Sequence, residues 1–226
     1  MEIVVIGVLL LASYVIGAIP SGLIVVKLMT GKDVRRVESG RTGGTNAARA
    51  AGWPAGVITG LADFFKGAIP VWLAYAAGIT NDWIIIACPL LAIVGHNWSI
   101  FTIERNEAGR IHLKGGAGGG PTMGGAFALW PGSVLIILPV SMGILFGLGY
   151  ASVATLSMAF SAIIVFALRA WLGEGSWIFV FYGIFAQIIL IWSLRPNIKR
   201  LAKGDERLVG WRAKRQSRAR QQHNHV

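Results

Sequence analysis

All but three of the 21 lysines and arginines in this chain fall in three polar segments, and the stretches around those segments are long and apolar. Residues 30–53 hold Lys32, Arg35, Arg36, Arg41 and Arg49, residues 104–114 hold Arg105, Arg110 and Lys114, and a basic tail begins at Arg195. A soluble domain mixes charged and apolar positions within every helix or strand. A chain that sorts them this coarsely is built for a bilayer, where a spanning helix needs about 20 consecutive apolar residues. Composition agrees, with 54% hydrophobic and only 14% charged residues and a mean hydropathy of +0.62. The net charge of +11 would point to nucleic acid in a soluble protein. Confined to the segments between spans, it reads instead as topology and as contact with anionic lipid, with no nucleic-acid role. The single cysteine, Cys88, lies in an apolar run, which rules out an intrachain disulfide and a cysteine metal cluster.

Charge bias places all three basic segments in the cytoplasm, and that placement constrains the number of crossings. The first run, residues 3–29, is preceded only by Met1 and Glu2, so it lacks a basic leader and reads as a retained helix. Two runs, 54–78 and 83–103, return the chain inside through a short turn containing Asp82. Between the second segment and the tail, the runs 133–149, 151–172 and 177–193 supply three crossings, one too few or one too many. Residues 116–130 therefore have to supply a fourth, as a short or broken helix ending at Pro131-Gly132. The expectation is an all-α integral membrane protein with seven transmembrane helices, the N-terminus outside and the C-terminus cytoplasmic. Six spans with a re-entrant, glycine-rich stretch shielded from lipid is the competing topology. Residues 1–211 form one membrane domain in this reading. Residues 212–226 form a basic, disordered cytoplasmic tail, because they carry almost nothing apolar to bury.

Two of the polar segments have a composition suited to anions. Ser39-Gly40-Arg41-Thr42-Gly43-Gly44-Thr45-Asn46, followed by Arg49, is dense in hydroxyls, amides and free backbone N–H groups, and glycine lets main chain approach phosphate closely. It lacks the Gly-Lys-Ser/Thr ending of a nucleotide-binding loop, and a solvated turn has the same composition. Lys114-Gly115-Gly116-Ala117-Gly118-Gly119-Gly120-Pro121-Thr122 places five glycines in nine positions at the mouth of an apolar stretch. Such a run forms either a second anion nest or a linker.

Charges inside the apolar runs need partners. Asp63 and Lys66 stand three residues apart on one helix face, as a structural ion pair or as part of a site. His96 approaches the cytoplasmic end of its span, where a satisfied interfacial residue and a site residue look alike. Arg169 opposes the charge rule, and only snorkelling explains it from sequence. His223 and His225 in the tail are too few and too exposed to carry a metal assignment.

Taken together and in order, these segments resemble the bacterial membrane glycerol-3-phosphate acyltransferase family that uses acyl phosphate as donor. Gly17-Ala18-Ile19-Pro20-Ser21-Gly22 is similar to its first-span element, and Ser39-Gly40 with Gly43-Gly44-Thr45-Asn46 to its first loop motif. Asp63, Lys66 and Gly67 match its second span, and Lys114-Gly115-Gly116 opens its glycine-rich motif. Asn197-Ile198, Arg200-Leu201, Gly204 and Glu206 fit its third motif. Three positions depart from the pattern: Arg41 replaces an asparagine, Ala117 a second lysine, and Leu194 a histidine.

The resemblance implies transfer of a fatty acyl group from acyl phosphate to the 1-hydroxyl of glycerol 3-phosphate in the bacterial inner membrane. No metal, cofactor or coenzyme A is implied. Arg49, Lys114 and Asn197 are expected at the phosphates, together with Arg41 and the backbone of Gly43, Gly44, Gly115 and Gly116. Ser39, Thr45, Asn46 and, less directly, His96 are expected to orient the reacting groups, and Arg41 to supply the cation missing at Ala117. A divergent relative that acts on another alcohol phosphate or has lost activity, and a small membrane transporter, are the rival readings. Acyl-chain preference and oligomeric state are not legible.

Overall fold

The computed structural model describes residues 1–105, 109, 111–213 and 215. Arg110 and most of the expected tail lie outside the described residues. The helices are α1 (Glu2–Ala18), α2 (Ser21–Thr30), α3 (Gly44–Ala51), α4 (Trp53–Ala76), α5 (Asp82–Asn97), α6 (Gly119–Leu129), α7 (Val134–Leu148), α8 (Ala151–Trp171) and α9 (Ile178–Ala202). The second polar segment also forms a small antiparallel hairpin of β1 (Ile103–Arg105) and β2 (Ile111–Leu113), with Glu104 opposite His112.

Among the described residues, six helical stretches are long and apolar enough to cross a bilayer: Glu2–Thr30, Trp53–Ala76, Asp82–Thr102, Pro131–Leu148, Ala151–Trp171 and Ile178–Ala202. Their outer faces are as apolar as their inner ones, as Ile3 (85% exposed), Leu135 (77%) and Leu28 (82%) show. A helix apolar all round belongs in a nonpolar solvent. The seventh apolar stretch forms α6, whose 11 residues reach about 16 Å at 1.5 Å per residue, roughly half a hydrocarbon core. The expected short helix is present. It is buried among the long ones instead of facing lipid.

Small residues make that burial possible. At the crossing of α4 and α6, a methyl group on Gly124 would overlap the Phe64 carbonyl oxygen, and one on Gly67 would overlap that of Pro121. Backbones that approach this closely gain dispersion contacts, the main source of helix association where lipid tails are as apolar as leucine. On the other side of α6, the fully buried Tyr182 of α9 donates its hydroxyl to the Thr122 carbonyl at 2.6 Å.

The first span is broken at Pro20, which has no N–H to continue the helical ladder. The break leaves the Ala18 carbonyl without a helical donor and the Ile19 carbonyl with only the Ser21 N–H, at 3.0 Å, and side chains supply the rest. Ser99 donates to Ala18 O, and the Lys66 ammonium donates to Ile19 O. Lys66 also pairs with Asp63 at 2.8 Å, with both side chains less than a tenth exposed, and His96 Nδ1 stands 3.6 Å from the same carboxylate oxygen. The intramembrane charges are thus spent on each other and on backbone.

Contacts at both ends order the bundle. At one end, the Arg169 guanidinium lies 4.5 Å from the Trp130 ring centroid and donates to Glu174 O, so α8 is tied to the chain leaving α6. This cation–π contact accounts for a charge that sequence alone assigns to snorkelling. At the other end, Val209 N donates to Gly149 O at 2.8 Å and Trp211 Nε1 to Phe146 O at 2.9 Å. Arg212 Nη1 reaches Leu148 O at 3.1 Å, so the start of the expected tail rests against the α7–α8 turn.

This packing sets the expected cost of two substitutions. Replacing Lys66 by Met strips Asp63 of its partner and is expected to cost about 3 kcal/mol or more. It should appear as a lower thermal midpoint in detergent, largely regained when Asp63→Asn is added. Unchanged midpoints would show that the pair is dispensable. Gly124→Val forces α4 and α6 apart and should cost about 1–3 kcal/mol in the same assay, whereas Gly143→Val on the open face of α7 should be neutral.

Candidate active site

The first polar segment folds around one amide. Asn46, 2% exposed, donates through Nδ2 to the carbonyls of Val34 (2.9 Å), Val37 (3.0 Å) and Arg41 (2.9 Å), so residues 34–41 wrap the start of α3. Asp33 caps the turn at Val34–Arg36 by accepting from Arg35 N and chelating the Arg35 guanidinium, Nη2 to Oδ2 at 2.7 Å. That hydrogen bond holds the Asp33 carboxyl below its ordinary range and raises the Arg35 guanidinium, so the turn stays capped until strongly acidic pH. Gly40, at φ 65°, reverses the chain directly beneath the Lys114 ammonium.

The result is a row of free donors. Among the described residues, the backbone N–H groups of Gly43, Gly44 and Thr45 have no acceptor where the chain enters α3. Consecutive unpaired N–H groups at a helix N-terminus form an anion nest.

The glycine-rich segment closes over that loop. Thr42 N donates to Gly115 O at 3.2 Å, and Gly116 N donates to His96 O at 2.9 Å. Thr102 Oγ1 donates to Lys114 O. No side chain fits at Gly115 or Gly116, because a methyl would strike the His96 carbonyl at the first and its imidazole at the second. His96 is therefore a buried wall between Asp63 and the loop. Lys114 Nζ stands 3.6 Å from Glu104 Oε2, while Glu104 Oε1 lies 3.2 Å from Arg35 Nη1, so the hairpin carries the one acid that two cations share.

The end of α9 supplies the third side. Arg41 Nη1 donates to Gly116 O (2.7 Å) and Ser193 Oγ (3.2 Å), and Nη2 to Ser193 O (2.7 Å) and Asn197 Oδ1 (3.3 Å). Asn197 Nδ2 donates to Glu206 Oε1 at 2.8 Å, and Glu206 also accepts from Ser152 Oγ and Arg200 Nε. Arg49 Nη2 reaches Leu208 O at 3.3 Å, and Arg207 faces Glu38 at 3.5 Å. Burial lowers the pKa of both Arg41 and Arg49. Both remain cations, since a guanidinium does not deprotonate in proteins.

The structure brings Ser39, Arg41, Gly43, Gly44, Thr45, Arg49, Lys114, Gly115, Gly116 and Asn197 to one end of the bundle. Three of the residues singled out from sequence spend their groups on the protein. Asn46 organises its own loop, His96 lies 5% exposed beneath the glycines, and Arg41 holds three segments together. Sequence reasoning placed Glu206 only as a motif position and passed over Ser193 and Ser152. An acid retained in a strongly basic tail was the available signal for Glu206.

The geometry agrees with what the chain resembles elsewhere. A family model described as glycerol-3-phosphate acyltransferase matches residues 7–204. A glycerol-3-phosphate acyltransferase of Thermus thermophilus is 33% identical over 204 residues, covering 90% of this chain and 95% of the relative. One from Rubrobacter xylanophilus is 33% identical over 208 residues, covering 91% and 96%. The crystal structure of PlsY, an integral membrane glycerol 3-phosphate acyltransferase, in its glycerol 3-phosphate form superposes with a TM-score of 0.77 at 30% identity, covering 91% of this chain and 96% of that one. Its lysophosphatidic acid form gives 0.75 at 28% identity, covering 91% and 95%. By sequence, length and architecture alike, this chain belongs to the glycerol-3-phosphate acyltransferase family.

Proposed function

We propose that this protein transfers a fatty acyl group from acyl phosphate to the 1-hydroxyl of sn-glycerol 3-phosphate at the cytoplasmic face of the bacterial inner membrane. The observation that carries the reading is the row of N–H groups at Gly43, Gly44 and Thr45 that are unpaired among the described residues, on a loop whose Gly40 lies against the Lys114 ammonium and whose helix carries Arg49. Among the described residues, each of those two cations makes one long contact to carbonyl or carboxylate, which leaves further donors for phosphoryl oxygens.

In this reading the substrate hydroxyl oxygen attacks the acyl carbonyl carbon. A carbon–oxygen bond forms to the glycerol, the carbon–oxygen bond to phosphate breaks, and the hydroxyl proton leaves on a phosphate oxygen. The products are 1-acylglycerol 3-phosphate and inorganic phosphate. Phosphate is a good leaving group, so orientation and charge neutralisation supply much of the catalysis without a protein nucleophile, a metal or coenzyme A. Arg49, Lys114 and the nest hold phosphate, with Gly115 and Gly116 shaping the floor. Ser39 and Thr45 orient the reacting groups through their hydroxyls. Asn197 contributes the amide N–H that Glu206 does not use. The acyl chain enters sideways from lipid.

Seven crossings, with the N-terminus outside, follow if α6 counts as a passage. Its support is that Gly118 opens α6 beside the loops, while Trp130 beyond its other end lies under Arg169 at the end of α8. A transporter reading has less support, because Asp63 and Lys66 are already paired within the protein.

Purified protein given acyl phosphate and glycerol 3-phosphate should release phosphate and form 1-acylglycerol 3-phosphate. Arg49→Ala and Lys114→Ala should each lower kcat/KM about 10–100-fold, the loss of one charge-assisted hydrogen-bonding group. Turnover only with a different alcohol phosphate would identify a divergent relative. Liposome transport without turnover would overturn the enzymatic reading.

A further inference from the structure

We infer that Arg41 is a positioning residue that assembles the phosphate site without touching substrate, an inference that rests on the acyltransferase reading of that site. A guanidinium has five N–H donors, and the four on its terminal nitrogens are committed here to Gly116 O, Ser193 Oγ, Ser193 O and Asn197 Oδ1. A phosphate ligand needs those terminal donors as a free fork. Arg41 has already spent them on four acceptors of three residues in two other segments of the chain.

The acceptors show what the contact accomplishes. Gly116 O belongs to the glycine run just before α6, so the bond sets where that run lies over Arg41's own loop. Ser193 O lies where Pro196 interrupts the α9 ladder and Arg195 Nε has taken over the Trp192 carbonyl at 3.1 Å. Asn197 Oδ1 is the most consequential partner. By accepting from Arg41 it fixes which way the amide faces, and so directs Nδ2 toward Glu206 at 2.8 Å.

The contacts also gather the three departures from the family pattern into one place. Arg41 is the first, and its two carbonyl partners, Gly116 and Ser193, immediately precede Ala117 and Leu194, the other two. In the same inference the three changes act as one coupled replacement, with Arg41 bonding the main chain beside positions 117 and 194.

The test combines hydrogen exchange with kinetics on the full chain in detergent. In Arg41→Ala, amides in residues 115–120 and 193–200 should exchange about tenfold faster or more, while Arg49→Ala leaves both stretches unchanged. Arg41→Ala should lower kcat about 100-fold with KM for glycerol 3-phosphate held within about threefold, the pattern of misplaced rather than missing ligands. Arg41→Lys, which preserves charge and folding, should recover part of kcat. Adding Ala117→Lys and Leu194→His to Arg41→Asn should recover more than either alone. Unchanged exchange in both stretches, or a tenfold rise in KM at constant kcat, would overturn the inference. The exchange comparison remains informative even if the wild type transfers no acyl group, so failure of the functional reading is a separate result.

Discussion

A lipid interior offers no water to a stray carbonyl, and the break at Pro20 leaves carbonyls in need of donors in the middle of the first span. Lys66 and Ser99 meet that need from the second and third spans, which fixes how three helices are arranged. The ammonium required there must itself be balanced, which explains Asp63, and the carboxylate then faces His96 at the base of the glycine run. One interrupted ladder therefore propagates, bond by bond, from the break in the first span to the floor of the candidate site.

The glycines serve helix packing in the bundle and loop closure at its rim, for the same geometric reason. Within α4 and α6 a missing side chain lets backbones touch and draws a half-length helix into the centre of the molecule. At Gly115 and Gly116 it lets the loop lie flat on His96, so its main chain reaches the Arg41 loop. A short α6 is what delivers the glycine run there. A helix of full length would carry its N-terminus past the level of the α3 nest.

Charge sorting made the three polar segments and their meeting legible in the sequence, because positive-inside bias acts on whole loops and needs no knowledge of contacts. Counting crossings called for a seventh passage over 116–130, where the structure has the 11-residue α6, a helix outside the six stretches long enough to span. What escaped was how individual side chains spend their hydrogen bonds. Arg41, Asn46 and His96 have the chemistry of ligands, yet their partners include Asn197, the Val34 carbonyl and Asp63, and no local pattern encodes such pairings. The hairpin at Glu104 was missed because three-residue strands are too short to show a period.

The bonds from Arg41 to Asn197 and from Arg49 to Leu208 join residues separated by 156 and 159 positions. Contacts of such long range close late in folding, since the intervening chain must be ordered before they form. During synthesis, the five candidate spans that precede α9 are made while the end of the bundle that gathers the polar segments is still incomplete. A chain cut short before position 197 therefore lacks the acceptors that Arg41 finds at Asn197 and Arg49 at Leu208.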